Sequence, residues 1–477
     1  MTRPLVLGIA AVLAIGACSD QAPTGSSNPF EVASTSGSVT SGFIGINVIL
    51  KAPATAADRI ELATYGHLMD EIPELNAIRV KAKADQLVAI QALPFVEAAS
   101  PDAERNARPV DAVSATNFAN GLSTWDQDAI NVTQRLATPI RQVAFDGSGV
   151  YVAILDTGLL PTWRQYFPQQ RIAEQYAAAF GGGGQDQGNV PELPNKWEDD
   201  VDSHGTHVTS TVLGYQLGVT LINGTAPLAT IIPVKVLNQN GSGWSSTIAR
   251  GIRYVTHLKT DVLPANSPVV INMSLGGPSL DVLEQAAIDD AIEAGVIVVA
   301  SAGNSGPTGA MGFPGAYPPV ISVASAGYVR EWEGGTAWWN NAVSNTLDPT
   351  VPAQYYISDF SALRTGTQDL DVAAPGSWVV GPFQLNQSNR VSFFFLGGTS
   401  MASPHVAGIV ALMLQKNPTL GAATVETILQ NSAIQIPDVN QQVRPGPGAP
   451  LATPPSWDAN RSGSGLATAD AALAATP

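Results

Sequence analysis

The sequence predicts a doubly wound α/β domain with a parallel sheet, preceded by a small α+β domain of the ferredoxin-like kind. Two patterns predict this. Six apolar runs, Val150–Leu155, Ile231–Leu237, Val269–Leu275, Val296–Ala300, Val320–Ala324 and Leu370–Ala374, lack the alternation of a half-exposed strand, and helical segments fall between several of them. Such runs are expected of parallel strands buried on both faces. Ahead of them, residues 43 to about 102 read as six short elements. Phe43–Leu50 is a strand, Ala54–Tyr65 a helix, His67–Ile72 and Leu75–Val80 two strands, Asp85–Ala92 a helix and Phe95–Ala99 a strand. The order β-α-β-β-α-β is the split βαβ arrangement, and a unit of about 60 residues is marginally stable alone.

A chain of 477 residues, 45% hydrophobic and 13% charged, can bury a large core and is expected to form two or three domains. Its net charge of −16, without long single-sign runs, argues against nucleic acid or an anionic membrane surface as partner. Met1 to Ala17 places Arg3 before the apolar run Leu5 to Ala17, which is short for a bilayer span and reads as an export signal. The single cysteine, Cys18, follows Ile15-Gly16-Ala17. That segment resembles the lipobox of bacterial lipoproteins, in which the cysteine is lipidated; ordinary signal cleavage nearby is the alternative. With one cysteine, stability must come from packing, with or without ions, and not from disulfides. Gln21 to Ser41 has little to bury and reads as a flexible tether. The expected organisation is therefore an export signal (1–18), a linker (19–42), the small domain (43–105), a connecting stretch (106–121) and the large domain (122–477).

In an open α/β sheet, sites form at the carboxyl ends of the strands. Asp156, in Ile154-Leu155-Asp156-Thr157-Gly158, stands at such an end, although alone it reads equally as a turn residue. His204, in Asp202-Ser203-His204-Gly205-Thr206-His207, opens a helical pattern. A metal pair with His207 is disfavoured because no third ligand is near. Ser400 lies in Gly397-Gly398-Thr399-Ser400-Met401-Ala402-Ser403-Pro404-His405, where Val406, Ile409, Val410 and Met413 mark a buried helix face. Ser400 thus sits at a helix N-terminus, whose unpaired N–H groups favour the anion that acyl transfer develops. Taken singly, an N-cap worth about 1 kcal/mol would explain it.

Together these segments resemble the subtilisin-like serine proteases, whose triad occurs in the order Asp, His, Ser. The resemblance spans Val150 to Ala469 and includes Ala302-Gly303-Asn304, Asn272-Met273-Ser274-Leu275-Gly276 and Asp371-Val372-Ala373-Ala374-Pro375-Gly376. It implies a serine endopeptidase with Ser400 as nucleophile, His204 as general base, Asp156 as its orienter and Asn304 as an oxyanion donor. No cofactor is required for that chemistry. The partners implied are protein or peptide substrates, bound as an added strand between Gly241-Ser242-Gly243 and Ser274-Leu275-Gly276. A neutral primary pocket, suited to a large apolar side chain, is implied at Ala302, Gly303 and Gly312, and Trp244 either walls a second apolar subsite or has an exposed packing role, as partly buried tryptophans often do.

The small domain resembles the inhibitor-like propeptides of the family, which implies a self-processing zymogen cut between Ser100 and Leu122. With Cys18 lipidated, the precursor alone would be membrane-attached; the product would be exported to the cell envelope or beyond. His207 and His405 match structural positions, and His67 and His257 have no motif. A common calcium site is in doubt because its carboxylate falls on Gln165. The acidic run Glu198-Asp199-Asp200-Val201-Asp202 is either a calcium site or a solvated loop, so no metal ligand is assigned. Ser203 replaces a frequent glycine and is expected to be tolerated for its small size. Gly327 to Tyr356, rich in Trp332, Trp338, Trp339, Tyr355 and Tyr356, is expected to bury its rings more readily than to form a substrate rim. A catalytically dead peptide binder or an envelope structural lipoprotein is disfavoured, since every catalytic position holds a competent residue.

Overall fold

In this computed structural model the described residues are 42–116, 124–134, 141–180, 196–333, 335, 351–385 and 391–477. The export segment, Cys18, the tether, the glycine-rich stretch from Gly181 to Pro194, which from its sequence is expected to form a mobile loop, and Trp338 and Trp339 lie outside them.

The N-terminal domain contains β1 (Phe43–Leu50), α1 (Ala56–Tyr65), β2 (Gly66–Ile72), β3 (Ala77–Lys83), α2 (Leu87–Gln91) and β4 (Val96–Pro101). Its antiparallel sheet has the order β2-β3-β1-β4, so the two middle strands are contributed by the two different halves of the motif. The first helix starts later than the apolar pattern suggests. Thr55 and Asp58 cap each other's backbone, with Thr55 N donating to Asp58 Oδ2 at 2.8 Å and Asp58 N to Thr55 Oγ1 at 3.2 Å, and this box fixes the boundary. The third strand begins at Ala77 and not Leu75, because Pro73–Leu75 form a turn of 3₁₀ helix ending on left-handed Asn76.

The described part of the connecting stretch is held by strand pairing. β5 (Glu104–Asn106) and β6 (Asp111–Ala115) both pair with strands far along the chain. The large domain then supplies β7 (Tyr151–Asp156), α3 (His204–Leu213), β8 (Thr230–Lys235), β9 (Ser242–Trp244), α4 (Ser245–His257), β10 (Val269–Met273), α5 (Val282–Glu293), β11 (Val296–Ser301), β12 (Ile321–Tyr328), β13 (Tyr355–Ile357), β14 (Val372–Pro375), β15 (Phe393–Gly397) and α6 (Thr399–Lys416).

Its central sheet runs β13-β12-β11-β10-β7-β8, with β14 also on β12 and the edge strand Ala178–Ala179 on β8. All these pairings are parallel except β12 with β13. Alternate residues of β7 show why the runs are continuously apolar. Val152 and Ile154 join the cluster containing Val208, Val212 and Val406, on α3 and α6. Ala153 and Leu155 join the opposite cluster, with Ile248 and Ile252 of α4 and Leu283 and Ile288 of α5. Helices therefore cover both faces. Helix α6 was expected to bury one face; it is buried around its whole circumference, Ala407, Ala411 and Leu412 included, as its uniformly apolar composition requires.

The N-terminal domain docks on the α4–α5 side, where Ile72, Leu75 and Ala77 join the apolar cluster of those helices. Polar groups close the same interface. The Asp102 carboxylate accepts from Ser246 N (3.0 Å), Ser245 Oγ (2.9 Å), Ser246 Oγ (2.7 Å) and Arg79 Nη2 (2.7 Å). It sits at the α4 N-terminus, where an anion is favoured. Asp281 caps α5 through Leu283 N and Glu284 N, both at 3.0 Å, and also accepts from Asn47 Nδ2 at 2.9 Å and Ser100 Oγ at 3.0 Å.

Candidate active site

Strand β7 ends at Asp156, beside Lys235 in register, and its main-chain oxygen accepts from Val236 N (2.9 Å) and Leu237 N (3.2 Å). The carboxylate accepts from Thr157 N at 2.7 Å and faces His204 Nδ1 at 2.9 and 3.0 Å. Both side chains are fully buried. His204 is the first residue of α3, so the chain must turn sharply before it. That turn is made by Ser203 at φ 69°. Here the expectation from size is corrected: the demand on this position is a left-handed backbone, which glycine adopts freely and serine does not. Buried Asp200 holds the turn by accepting from Ser203 N (2.8 Å) and Asp202 N (3.1 Å), while Gln384 N donates to Ser203 Oγ at 2.9 Å. Burial pushes the Asp200 carboxyl up to about 7, against the opposing charge of Lys235.

Burial disfavours a charged His204, but Asp156, followed by Asp202 and Asp200, outweighs it and raises the imidazole above its ordinary value. If His204 is the general base that the family resemblance implies, it must be neutral to act, and activity would rise as pH passes upward through this raised pKa. Asp202→Asn removes one of the charges that raise it. The acid limb of kcat/KM is therefore expected to move to lower pH; an unmoved limb would show that Asp202 does not act on His204.

Ser400 is the second residue of α6, where a backbone N–H has no intrahelical acceptor. Pro404, four residues on, has no N–H to offer the Ser400 carbonyl. That carbonyl accepts instead from Ser274 Oγ at 2.8 Å, and Ser274 Oγ also meets Ser403 Oγ at 2.8 Å. The missing helical bond thus ties the Ser400 backbone to the segment after β10. The Ser400 hydroxyl donates to Ser274 O at 3.2 Å, and buried His204 Nε2 has no hydrogen-bond partner among the described residues. Asn304 is oriented by Thr399, whose N and Oγ1 donate to its Oδ1 at 2.9 and 2.8 Å. Its amide is left facing the helix end: a Cβ built on Gly398 would lie 3.6 Å from Asn304 Nδ2 and 3.7 Å from Ser400 N. Both nitrogens therefore lie within 4 Å of one point at the helix N-terminus.

The two expected binding segments do enclose a strand, and it comes from this chain. Asn106 and Gly276 exchange both backbone hydrogen bonds at 2.9 Å, Ala107 N donates to Gly241 O at 2.8 Å, and β5 pairs with Ser242, Gly243 and Trp244 of β9. Space dictates glycine here, since a Cβ on Gly241 would come within 2.3 Å of Ala107 O and one on Gly277 within 2.1 Å of Glu104 O. Beyond this track Val110 N donates to Gly397 O at 2.7 Å, three residues before Ser400, and β6 continues along β15. The chain accordingly crosses the Ser400 region between Ala107 and Val110.

Ala302, Gly303 and Gly312 also come together: Gly312 N donates to Ala302 O at 2.9 Å, and Gly312 lies against Gly276 and Gly277. Exposed Arg108 does not enter that neutral recess; its Nε donates to Asn240 O at 3.0 Å. The surroundings of Trp244 are polar and not apolar: the recess it lines is shared with Glu104, Arg108, Asn238 and Asn240. Next along the chain from Glu104, Arg105 is buried against Glu284. Asp281 and Glu284 have the spacing of a capping box, a reading that hides Glu284, whose carboxylate takes no part in the cap.

The remaining assignments resolve locally. His207 is buried with Nε2 3.2 Å from Val379 O, and burial pushes its pKa down to about 3. His405 lies between Met401 O (2.9 Å) and Asp126 Oδ2 (3.0 Å). His67 is exposed on β2, and His257 faces Asp261 at 3.0 Å on the surface. In the run 198–202 the carboxylates diverge. Glu198 accepts from Arg164 (2.8 Å) and Trp163 Nε1 (3.1 Å), Asp199 pairs with Lys196 and Asp200 holds the Ser203 turn, so the donor set does not fit a calcium ion. Elsewhere Asp369, Asp371 and Glu426 converge within 4.8 Å of one another. Asp371 already accepts from Ser322 N (2.7 Å), Ser322 Oγ (2.9 Å) and Gln430 Nε2 (2.5 Å). The aromatic insertion folds inward in its described part. Trp332 meets Trp378 and Phe395 at 4.9 and 5.2 Å between ring centroids, and Tyr356 OH donates to buried Glu331 at 2.8 Å. No helix among the described residues is long and apolar enough to cross a membrane.

Residues 147–463 match the model of the Subtilase family. Subtilisin DY of Bacillus licheniformis is 32% identical over 63% of this chain and 90% of its own length. M-protease of Shouchella clausii is 29% identical over 78% of each chain. Among solved structures, fervidolysin from Fervidobacterium pennivorans, a keratinolytic enzyme related to subtilisin, shares the fold with a TM-score of 0.63 at 22% identity; the match covers 92% of this chain and 61% of that one. Sphericase has a TM-score of 0.51 at 27% identity, over 75% of this chain and 99% of its own.

Proposed function

This chain belongs to the subtilase family and is a serine endopeptidase, and we propose that it works through Ser400, His204 and Asp156 and is made as a self-processing zymogen. The Ser400 hydroxyl turns from Ser274 O to His204 Nε2, gives up its proton there and attacks the substrate carbonyl carbon. Asp156 keeps the other proton on Nδ1 and stabilises the imidazolium. Asn304 Nδ2 and Ser400 N receive the oxyanion. Collapse expels the amine, which takes the proton from Nε2, and a water molecule repeats the sequence on the acyl-enzyme. The recess at Ala302, Gly303 and Gly312 offers no charge to the side chain before the cut, which suits an apolar one.

One observation carries the zymogen reading: residues 104–107 fill the peptide-binding track by main-chain pairing with β9 and Gly276. A substrate cannot take the same hydrogen bonds while they remain. Asp102, Asp70 with Arg250 (2.5 Å) and the apolar contacts of Ile72 and Leu75 hold the N-terminal domain beside that track. The crossing between Ala107 and Val110 supports a maturation cut there, with Arg108–Pro109 midway. Export by Met1–Ala17 and lipidation at Cys18 would leave the lipid on the N-terminal product, so maturation would also release the enzyme.

The test is to compare the intact chain with the chain freed of residues up to about 108, by intact mass, membrane fractionation and hydrolysis of a fluorogenic peptide. Hydrolysis is expected only after the N-terminal domain is gone, and from the soluble fraction. Equal activity of intact and cut chains would contradict inhibition. A cut chain still on the membrane would contradict release.

A further inference from the structure

We propose that Glu284 makes this protease selective for arginine at the fourth residue on the amino side of the scissile bond. The inference rests on the reading that residues 104–107 lie in the substrate track. Counted from Arg108–Pro109, midway between the anchored residues Ala107 and Val110, the fourth residue back is Arg105. Its backbone lies opposite Gly243 of β9, as any peptide occupying the track would lie.

The guanidinium of Arg105 and the carboxylate of Glu284 are both completely buried. Arg105 Nε donates to Glu284 Oε1 and Oε2 at 3.1 and 3.2 Å, and Nη2 donates to Oε2 as well. Nη2 also reaches Ser279 O at 3.0 Å, and Nη1 the Glu104 carbonyl at 3.0 Å. Among the described residues, every side-chain hydrogen bond that Glu284 accepts comes from Arg105. The C-terminal domain thus holds a carboxylate at the bottom of a subsite without a cation of its own to pair it. Once the N-terminal domain leaves, that partner must come from water or from the next peptide.

A planar fork matches a carboxylate in two bonds at once, which lysine cannot do with a single ammonium. The third acceptor, Ser279 O, engages the same guanidinium. An apolar side chain would seal the carboxylate away from water with nothing to pair it, the costly half of a buried ion pair. Arginine should therefore lead, lysine follow, and leucine and glutamine fall well behind.

The experiment uses mature enzyme from the full chain and one fluorogenic peptide series with phenylalanine before the cut. Arginine, lysine, glutamine or leucine is placed in turn at the second to fifth positions before the bond. Arginine at the fourth position is expected to exceed leucine in kcat/KM by at least about 30-fold, with little preference elsewhere. Glu284→Leu should retain cleavage of the leucine peptide and lose or reverse the ratio, and its activity on that peptide shows that it is folded. Equal rates on all wild-type peptides, or the same arginine preference in Glu284→Leu, would overturn the proposal while leaving the protease reading intact. Failure to cleave any peptide, with no labelling of Ser400 by a fluorophosphonate, would strike the underlying reading instead.

Discussion

Ser400→Ala is expected to abolish proteolysis, with a loss on the order of 10⁶-fold in kcat, a magnitude taken from subtilisin itself. Under the proposed self-processing, the same substitution should leave the chain at full length, because one nucleophile would serve both substrate hydrolysis and maturation. Folding should be spared. The Ser400 main chain is held by Ser274 Oγ on its carbonyl, and the hydroxyl that is lost makes only a 3.2 Å bond to Ser274 O. Intact mass of the purified variant and a peptide assay check both parts. Mature-sized Ser400→Ala would mean that another protease makes the cut.

Asn304→Ala is expected to lower kcat by about 10² to 10³, some 3 to 4 kcal/mol, again the scale known from subtilisin, with KM little altered. The reason is geometric. Thr399 holds Asn304 Oδ1 at 2.8 and 2.9 Å, so the amide is fixed before any reaction, and the charge it is proposed to meet exists fully only in the tetrahedral species. A rise in KM without a fall in kcat would place Asn304 in ground-state binding and remove it from the oxyanion site. Loss of the Thr399 contacts is a separate consequence, which thermal unfolding of the variant would reveal.

The six strands were legible because their burial is two-sided, and both faces of β7 can be followed into opposite clusters. The candidate site was legible because motif and strand end coincide at Asp156. Other features depend on partners too distant in sequence to be seen there. Arg105 and Glu284 are 179 residues apart, and each alone looks like a surface charge. Residues 104–115 have no periodicity of their own; their strand character is conferred by β9, Gly276 and β15. The left-handed Ser203 is likewise a property of the turn that delivers His204, held by Asp200. Its serine side chain gives no sign of that conformation. Only the inward fold of the described part of the aromatic insertion follows a general tendency, and there Glu331 finds Tyr328 N, Tyr356 OH and Ser377 Oγ at 2.8 to 3.0 Å, partners that composition does not identify.

The most direct measurement of the central claim is the site of covalent modification by a serine-directed fluorophosphonate, read by peptide mass spectrometry on the mature chain and on His204→Ala. The triad predicts a single adduct on Ser400 in the wild type and a loss of labelling rate by several orders of magnitude in His204→Ala, because the hydroxyl then has no base. An adduct on any other residue, or labelling of Ser400 at an undiminished rate without His204, would contradict it.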